Sequence, residues 1–417
     1  MALRDRTIAL VRHGYLFSDM LDKETRRPGS ATPIRLLGRR SLVLRGPEGV
    51  ELFYDQDRVV RRRALPAVVA HSLFGKGAVY GLDGAEHRHR KQLFLDVTSP
   101  ALVADLAGRV GEKWQAELDR WIRSRRGTVL PSAVRAIGEA AQEWAGVPDA
   151  SVVMQRRSRD LVQIVDGFGR LGLPHLRSRL ARRRADSWAA SVIQEIRSGQ
   201  RRPPTGSVAD VMAFARDPAG ELLPLRTASV ELLNVLRPTI AVSYFVVFAA
   251  RQLDANPDLN EACATGNPDM VRMFSEEVRR LSPVVPVIGG RSRCPFAWKG
   301  HRVRTGDRLV LDVYGTNHDP AHWRDADTFD PSRFRRGDQR TRLDFIPQGG
   351  GPVDTGHRCP GEGITLSVLG QMIPPLARLD WRIHPDDHEV TLSRVPARPD
   401  GGLRLHDVRR TFQPEPL

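Results

Sequence analysis

Near the C-terminal end, Gly356-His357-Arg358-Cys359-Pro360-Gly361-Glu362 sets one cysteine between turn-forming residues, behind two cationic side chains and ahead of a helix-forming stretch. Cysteine is scarce: Cys263, Cys294 and Cys359 are the three in 417 residues. The thiolate is the ligating form of cysteine, and a helix N-terminus beside basic groups lowers a thiol's pKa. Glycines around it let backbone approach a flat ligand. A single thiolate held this way suits axial ligation of haem iron, where it favours O–O cleavage. The plain alternative for a lone cysteine is burial as a small hydrophobe; the neighbours of Cys359 argue against it.

Three further groups bear on that cysteine. Glu277 and Arg280 stand one helical turn apart and face the same side. Alone, such a pair is common and is worth a few tenths of a kcal/mol at a surface. Arg333 lies between aromatics in Phe329-Asp330-Pro331-Ser332-Arg333-Phe334, upstream of the cysteine. A carboxylate gripped by two guanidinium groups makes a geometrically fixed lock. The third group is Arg237-Pro238, inside the apolar stretch Leu232 to Ile240. An interior proline costs about 3 kcal/mol, kinks a helix and pushes the preceding residue out of helical geometry. An unpaired buried arginine costs still more. A sequence that keeps both in its most apolar helix gains something from them; otherwise Arg237 must snorkel to the surface.

These groups need elements to hold them. Apolar periodicity predicts helices over Arg88 to Asp96, Leu102 to Arg125, and Arg157 to Arg197, the last broken near Gly167 to Pro174. Leu222 to Leu253 reads as one long apolar helix. Asn267 to Leu281 reads as a helix with Asn267 at the N-cap and Pro268 at the first position. Ser41 to Tyr54 reads as a hairpin around Gly46-Pro47-Glu48-Gly49, and Gly199 to Gly206 as a loop. Short strands are expected at Val285 to Gly289, Arg308 to Tyr314 and Leu403 to Phe412. The fold class expected is mainly α with small β-sheets, without a linker to mark a domain boundary.

Glu277/Arg280, Arg333 and the Cys359 loop together resemble the hallmark motifs of the cytochrome P-450 superfamily. The insertion Gln348 to Thr355, which separates Phe345 from the cysteine, and Arg237-Pro238 resemble its fatty-acid peroxygenase branch, which uses hydrogen peroxide. The resemblance runs from Thr7 to Phe412. It implies one catalytic domain over 1–417, with haem b between the long central helix and the cysteine loop. It implies that Cys359 ligates iron, that His87, Lys91 and His357 meet the haem propionates, that Phe74 lines the pocket and that Tyr80 faces the haem. Arg237 would bind the substrate carboxylate, which would serve as acid and base for peroxide in place of a protein acid–alcohol pair. Products would be α- or β-hydroxy acids, or terminal alkenes after loss of carbon dioxide. Tyr80 stands where relatives carry Gln or His, and Val284 and Val287 stand where they carry aromatics, so the pocket differs in shape. Expected catalytic groups are thus Arg237, Pro238 and Tyr80, with Phe74 and Val287 also against substrate.

Composition sets outer bounds. Apolar content of 41% and charged content of 27% are ordinary for a globular chain. The cysteines form no C-x-x-C pair, and Met1 to Arg12 lacks an apolar h-region; a cytoplasmic setting without signal peptide is expected. The longest apolar run, Ile240 to Ala250, is short of the ~20 residues that span a bilayer and reads as the buried half of a core helix. The net charge of +15 could serve nucleic acid, acidic lipid or an acidic partner, with Arg61-Arg62-Arg63 and Arg182-Arg183-Arg184 as candidate patches, but it reads first as a solvated arginine-rich surface. No nucleic-acid motif accompanies them. Two other readings remain: a monooxygenase of another carboxylate served by an acidic redox partner, and a non-catalytic haem-thiolate sensor. Arg237-Pro238 and the lack of a fused flavin or iron–sulfur segment speak against the first, and the lack of an output domain against the second.

Overall fold

The computed structural model describes residues 4–25, 31–335 and 342–411. The helices that frame the site are numbered here in chain order: α1 (Gly84–Val97), α2 (Pro100–Ser124), α3 (Val129–Trp144), α4 (Ser151–Gly167), α5 (Leu173–Arg197), α6 (Leu225–Ala255), α7 (Pro268–Leu281) and α8 (Glu362–Ala377). The chain is mainly helical, as its periodicity predicts. α6 runs through the middle and packs against α3, α4, α5 and α8. Its Leu232, Leu236, Ile240, Val247 and Ala250 are buried in the main core. By length and composition α6 could cross a membrane, but most of it is buried inside the fold, which matches its reading as a core helix. The break between α4 and α5 and the Asn267 cap also stand: Asn267 Oδ1 accepts from the backbone N–H of Asp269 (3.0 Å) and Met270 (3.1 Å).

A five-stranded sheet covers one flank. β1 (Ala31–Leu36), β2 (Arg39–Leu44), β3 (Val59–Val60), β4 (Val287–Ser292) and β5 (Arg308–Asp312) lie in the order β1-β2-β5-β4-β3. β2 runs parallel to β5, with Ser41 opposite Arg308; the other pairs are antiparallel. A second sheet joins Arg404–Arg410 to Arg126–Thr128 and Leu379–Ile383; the expected end of that last strand, Phe412, lies outside the described residues.

The hairpin expected over Ser41 to Tyr54 is wrong. The hairpin is β1–β2, turned by Leu37 and Gly38, whose φ values are 50° and 71°, the backbone sign that tight hairpin turns require. Gly46–Tyr54 is a helix instead, with Pro47 in its first turn, where a missing N–H costs nothing. The strand expected through Tyr314 stops at Asp312, whose carboxylate caps the next helical turn by accepting from Gly315 N at 2.9 Å. Nor does Pro238 break its helix: α6 is helical through Arg237 and Pro238. Beside the proline, the Thr239 hydroxyl donates to the Val235 carbonyl at 2.8 Å, a side-chain bond within the turn that lacks a backbone donor.

Candidate active site

The cysteine loop folds back beneath α7 and α8. Cys359 N–H donates to the Gln348 carbonyl at 3.2 Å, and Gln348 Nε2 lies 3.8 Å from Cys359 Sγ. Gln348 is held from two sides: its Oε1 accepts from Arg279 Nε at 3.0 Å, and its Nε2 donates to Thr365 Oγ1 at 3.1 Å. Arg279 in turn pairs with Glu276. At the turn before the cysteine, glycine lets the chain pack tightly: a Cβ at Gly349 would fall 2.8 Å from Tyr54 Oη, and one at Gly350 2.9 Å from Val50. The thiol itself is pushed up, not down, by desolvation and then by Glu362; the Gly361 N–H, Lys91 and Arg279 oppose this. The sequence expectation of a protein-lowered thiol is therefore corrected. Arg358, immediately before Cys359, is committed to Glu362 through bonds of 2.8 and 2.9 Å. The protein alone keeps this thiol protonated; a bound metal ion, which deprotonates a coordinating thiol outright, would be needed to make it a thiolate.

Beside the loop lies a group of buried basic side chains, two of them neutral imidazoles. His87 stacks on His357 with ring centroids 3.8 Å apart. Desolvation, then His357 and Lys91, hold the His87 imidazole down near about 3. Lys91 Nζ reaches the cysteine loop and donates to the carbonyls of Gly356 (3.0 Å) and Arg358 (2.5 Å). Desolvation brings its pKa to about 8. Arg61, which the sequence placed in a surface patch, is 3% exposed; its guanidinium lies over the Phe53 ring at 4.0 Å, and its Nε and Nη1 have no hydrogen-bond partner. Asp83 is the carboxylate at this place, 3.8 Å from His357 Nε2, and it also accepts the Arg61 and Arg62 N–H groups. Orphaned guanidinium donors next to desolvated cations fit an anionic ligand with more than one acidic group. Among the described residues no three His, Cys, Asp or Glu side chains come together to hold a metal, so a metal on Cys359 must bring its other ligands with it. A porphyrin with two propionates satisfies both demands.

Glu277, Arg280 and Arg333 come together in the structure. Arg280 grips Glu277 through two bonds of 2.7 Å, with both side chains fully buried. Arg333 Nε comes within 3.5 Å of the same carboxylate, and its Nη2 donates to the Asp325 carbonyl.

On the other side of the site is Arg237, 6% exposed on α6. Its Nη2 donates to Asn234 Oδ1 at 3.2 Å, while its buried Nε has no partner. Its guanidinium carbon lies 5.5 Å from the centre of the Phe74 ring. Desolvation, then repulsion from Arg182, lowers its pKa to about 9, against the pull of Cys359. So Arg237 does not snorkel. A polar relay that sequence reading missed supports it: Asn234 Nδ2 donates to Glu231 Oε2 (3.0 Å), and Glu231 Oε1 accepts from Arg90 Nη1 (2.9 Å) and Val79 N (2.9 Å). Its signal was a polar residue every third position, 231, 234 and 237, in the most apolar helix.

Phe74 and Tyr80 stack face to face at 4.1 Å and 2°. Gly75, at φ 93°, lets this loop pass under α5; a Cβ there would meet Arg182 Nη2 at 2.3 Å. The Tyr80 hydroxyl donates to the Gly289 carbonyl at 3.3 Å, and desolvation raises its pKa to about 12. Val287 does not join the site. It packs with Phe17, Leu21, Ile34, Val43 and Val310 on the outer side of the sheet, because strand alternation sends it to the opposite face from the pocket. A separate cleft of about 1190 Å³, lined by Phe248, Leu281, Tyr314 and His318 among others, shares none of these site residues.

With that geometry in place, comparison with known proteins is informative. A family model of cytochrome P450 matches residues 267–393, the span from α7 through the cysteine loop and beyond. Cytochrome P450 4X1 of Mus musculus is 34% identical over 144 residues, covering 32% of this chain and 26% of its own. Cytochrome P450 4A22 of Homo sapiens is 29% identical over 145 residues, 34% of this chain and 27% of its own. The chain thus matches about a quarter of the length of these curated relatives. Solved structures match throughout. Cytochrome P450SP alpha in complex with (R)-ibuprofen superposes with a TM-score of 0.92 at 35% identity, covering 97% of this chain and 99% of that one. A variant of cytochrome P450 OleT in complex with arachidonic acid gives 0.93 at 30% identity, with 99% of each chain covered. The chain belongs to the cytochrome P450 family: it is a haem-thiolate oxidoreductase whose cofactor is haem b.

Proposed function

We propose that this enzyme is a peroxygenase, which oxidises fatty acids with hydrogen peroxide while Arg237 holds the substrate carboxylate. The observation that carries this reading is the Arg237 guanidinium: buried, with an orphaned Nε, and given no carboxylate by the described residues. A buried cation without a counter-charge is costly; a carboxylate ligand removes that cost and gains a forked geometry. Both solved relatives named above carry a carboxylic acid with an apolar body.

Cys359 would ligate the haem iron, with Arg61, His87, His357 and Lys91 toward the propionates. The haem supplies the oxidising chemistry when bound. The protein's own work is to place a carboxylate. The relay Arg90–Glu231–Asn234 orients Arg237, and Phe74 closes over the guanidinium, excluding water. The held carboxylate takes a proton from one oxygen of hydrogen peroxide and returns it to the oxygen that leaves as water. No side chain need do so, and Tyr80, with its hydroxyl engaged and its pKa near about 12, is unsuited to it. Fatty acid plus hydrogen peroxide gives hydroxy acid plus water; decarboxylation gives terminal alkene, carbon dioxide and two waters. Pro238 would contribute by fixing the turn that presents Arg237. No redox partner enters this scheme, and three free cysteines suit a reducing cytoplasm. Residues 1–417 would act as one catalytic unit.

The test is product analysis by mass spectrometry. Purified protein with a mid-to-long-chain fatty acid and hydrogen peroxide should form hydroxy acids. A parallel reaction with NADPH, ferredoxin and ferredoxin reductase under catalase should form none. Turnover confined to the second reaction would return the enzyme to the monooxygenase reading.

A further inference from the structure

Arg182 turns inward on a helix where Arg177, Arg179, Arg183 and Arg184 are all exposed. The buried stripe of α5 holds Ser178, Ala181, Arg182, Ala185 and Ala189; its small side chains leave room for one long one. A guanidinium taken out of water needs a counter-charge and acceptors. Arg182 has both. Its Nε donates to Asp186 Oδ1 at 2.9 Å, and its Nη2 lies 2.8 Å from the same oxygen, one helical turn along. Its Nη1 leaves the helix and donates to the Leu73 carbonyl at 3.1 Å.

Leu73 ends the helix Ala67–Leu73, where the last carbonyls have no partner within the helix. Beyond it the chain passes Gly75 and Gly77, at φ 93° and 82°, and reaches Val79, whose N–H donates to Glu231 at 2.9 Å. The segment between is therefore tied at each end by a buried charged side chain: a cation on the carbonyl before it, an anion on the N–H after it. The turn is pressed between α5 and α6. A Cβ at Gly75 would fall 2.3 Å from Arg182 Nη2 and 2.8 Å from Val230. Phe74 lies in this turn, 5.5 Å from the Arg237 guanidinium carbon.

We propose that Arg182 is a positioning residue for the carboxylate site: it pins the turn at Leu73 so that the Phe74 ring stays over Arg237. An ionised donor holds a carbonyl more firmly than a neutral one, and the planar fork divides its donors between Asp186 and Leu73. Phe74 also stacks on Tyr80 at 4.1 Å, so one pinned turn sets two aromatic walls of the site. The pin rests on the geometry alone; its effect on substrate rests on the function proposed above.

The experiment is hydrogen–deuterium exchange of the haem-loaded protein without substrate, read by mass spectrometry over residues 74–79. Exchange rises where local opening becomes easier. In Arg182→Met it should rise by about tenfold or more, the scale of one hydrogen bond to a charged group, while α6 exchanges as in wild type. Arg182→Lys keeps a donor for the Leu73 carbonyl and should restore most of the protection. Gly75→Ala should reproduce the loss with the Arg182 charge intact, and it carries the test if Arg182→Met fails to take up haem. The second readout is substrate. In both loosened variants fatty-acid affinity, read by spectral titration, should fall by about tenfold, and the ratio of α- to β-hydroxy acid should move. Arg182→Lys should return both toward wild type. Unchanged exchange over 74–79 in Arg182→Met overturns the proposal, and so does faster exchange spread evenly through α5 and α6. A loosened segment with wild-type affinity and product ratio would make Arg182 a fold contact and end its positioning role. Wild type that binds no fatty acid, with the exchange pattern as expected, removes the catalytic reading and leaves the pin standing.

Discussion

Two buried arginines on neighbouring helices show how structure and function divide the same side chain. Arg280, on α7, uses its whole fork: it grips Glu277 twice and donates to the carbonyls of Asn317, Ala326 and Thr328. Arg237, on α6, has one bond of 3.2 Å to a neutral amide, and an orphaned Nε. Both stand near an aromatic ring, Arg280 at 4.8 Å from Trp323 and Arg237 at 5.5 Å from Phe74. The difference is the counter-charge. A buried cation with its carboxylate built in holds the fold together; under the proposed function, the one without it takes its carboxylate from the substrate.

The contrast breaks most sharply at the lock. Glu277→Ala strands two guanidinium groups in a dry site, and removing one member of a buried pair costs about 3–5 kcal/mol. The variant should melt far below wild type or fail to take up haem, read by thermal unfolding and by the carbon-monoxide difference spectrum. Cys359→Ala should lose the red-shifted Soret band of thiolate ligation, while Cys263→Ala and Cys294→Ala keep it. Arg237 should behave in the opposite sense to Glu277. Arg237→Met removes an uncompensated cation, so ligand-free protein should gain about 1 kcal/mol or more in stability. A fatty acid should raise the melting temperature of wild type but not of this variant. A ligand-free Arg237→Met less stable than wild type would mean that the cation is satisfied after all.

The charge of Arg237 also sets a pH limit. Its folded pKa, about 9, lies below its ordinary value of about 12.5. Between these the unfolded chain binds the extra proton, so this group's contribution to stability rises with pH there, and its cost is fully present below pH 9. Binding follows the opposite course. Fatty-acid affinity should be level near neutrality and should fall as pH rises through about 9, when the guanidinium loses its proton. Arg182 and Cys359 are the charged groups that tune this break; a spectral titration with fatty acid across pH 7 to 10 reads it. The smallest effect is at Tyr80. With its hydroxyl on the Gly289 carbonyl and its pKa near about 12, it offers no proton at neutral pH. Hydroxy acids should dominate over alkene, and Tyr80→His, which titrates near neutrality, should raise the alkene share.

Much of this was legible in the sequence because the relevant groups repeat at helical spacing or sit in short motifs. The helices announced themselves by apolar period, and Glu277, Arg280, Arg333 and Cys359 by their order along the chain. What failed depended on contacts between distant segments. Val287 alternates to the outer face of β4, a one-residue matter that fixes which side a strand residue faces. The Cys359 thiol is pushed up by burial and then by the Glu362 carboxylate, neither of which motif reading weighs. Arg61 and Arg182 looked like solvated charge among other arginines, yet each turns inward. The Arg90–Glu231–Asn234 relay joins α1 to α6, and only its α6 half left a trace in the sequence.

The most direct test of the central claim compares a fatty acid with its methyl ester in the peroxide reaction, in wild type and in Arg237→Ala. The ester keeps the apolar chain and removes the negative charge. Wild type should turn over the acid and lose about two to four decades of rate on the ester, the scale set by losing a buried charge partner. Arg237→Ala should lose as much on the acid while retaining haem. Equal turnover of acid and ester by wild type would contradict the account, because Arg237 would then not be waiting for a carboxylate.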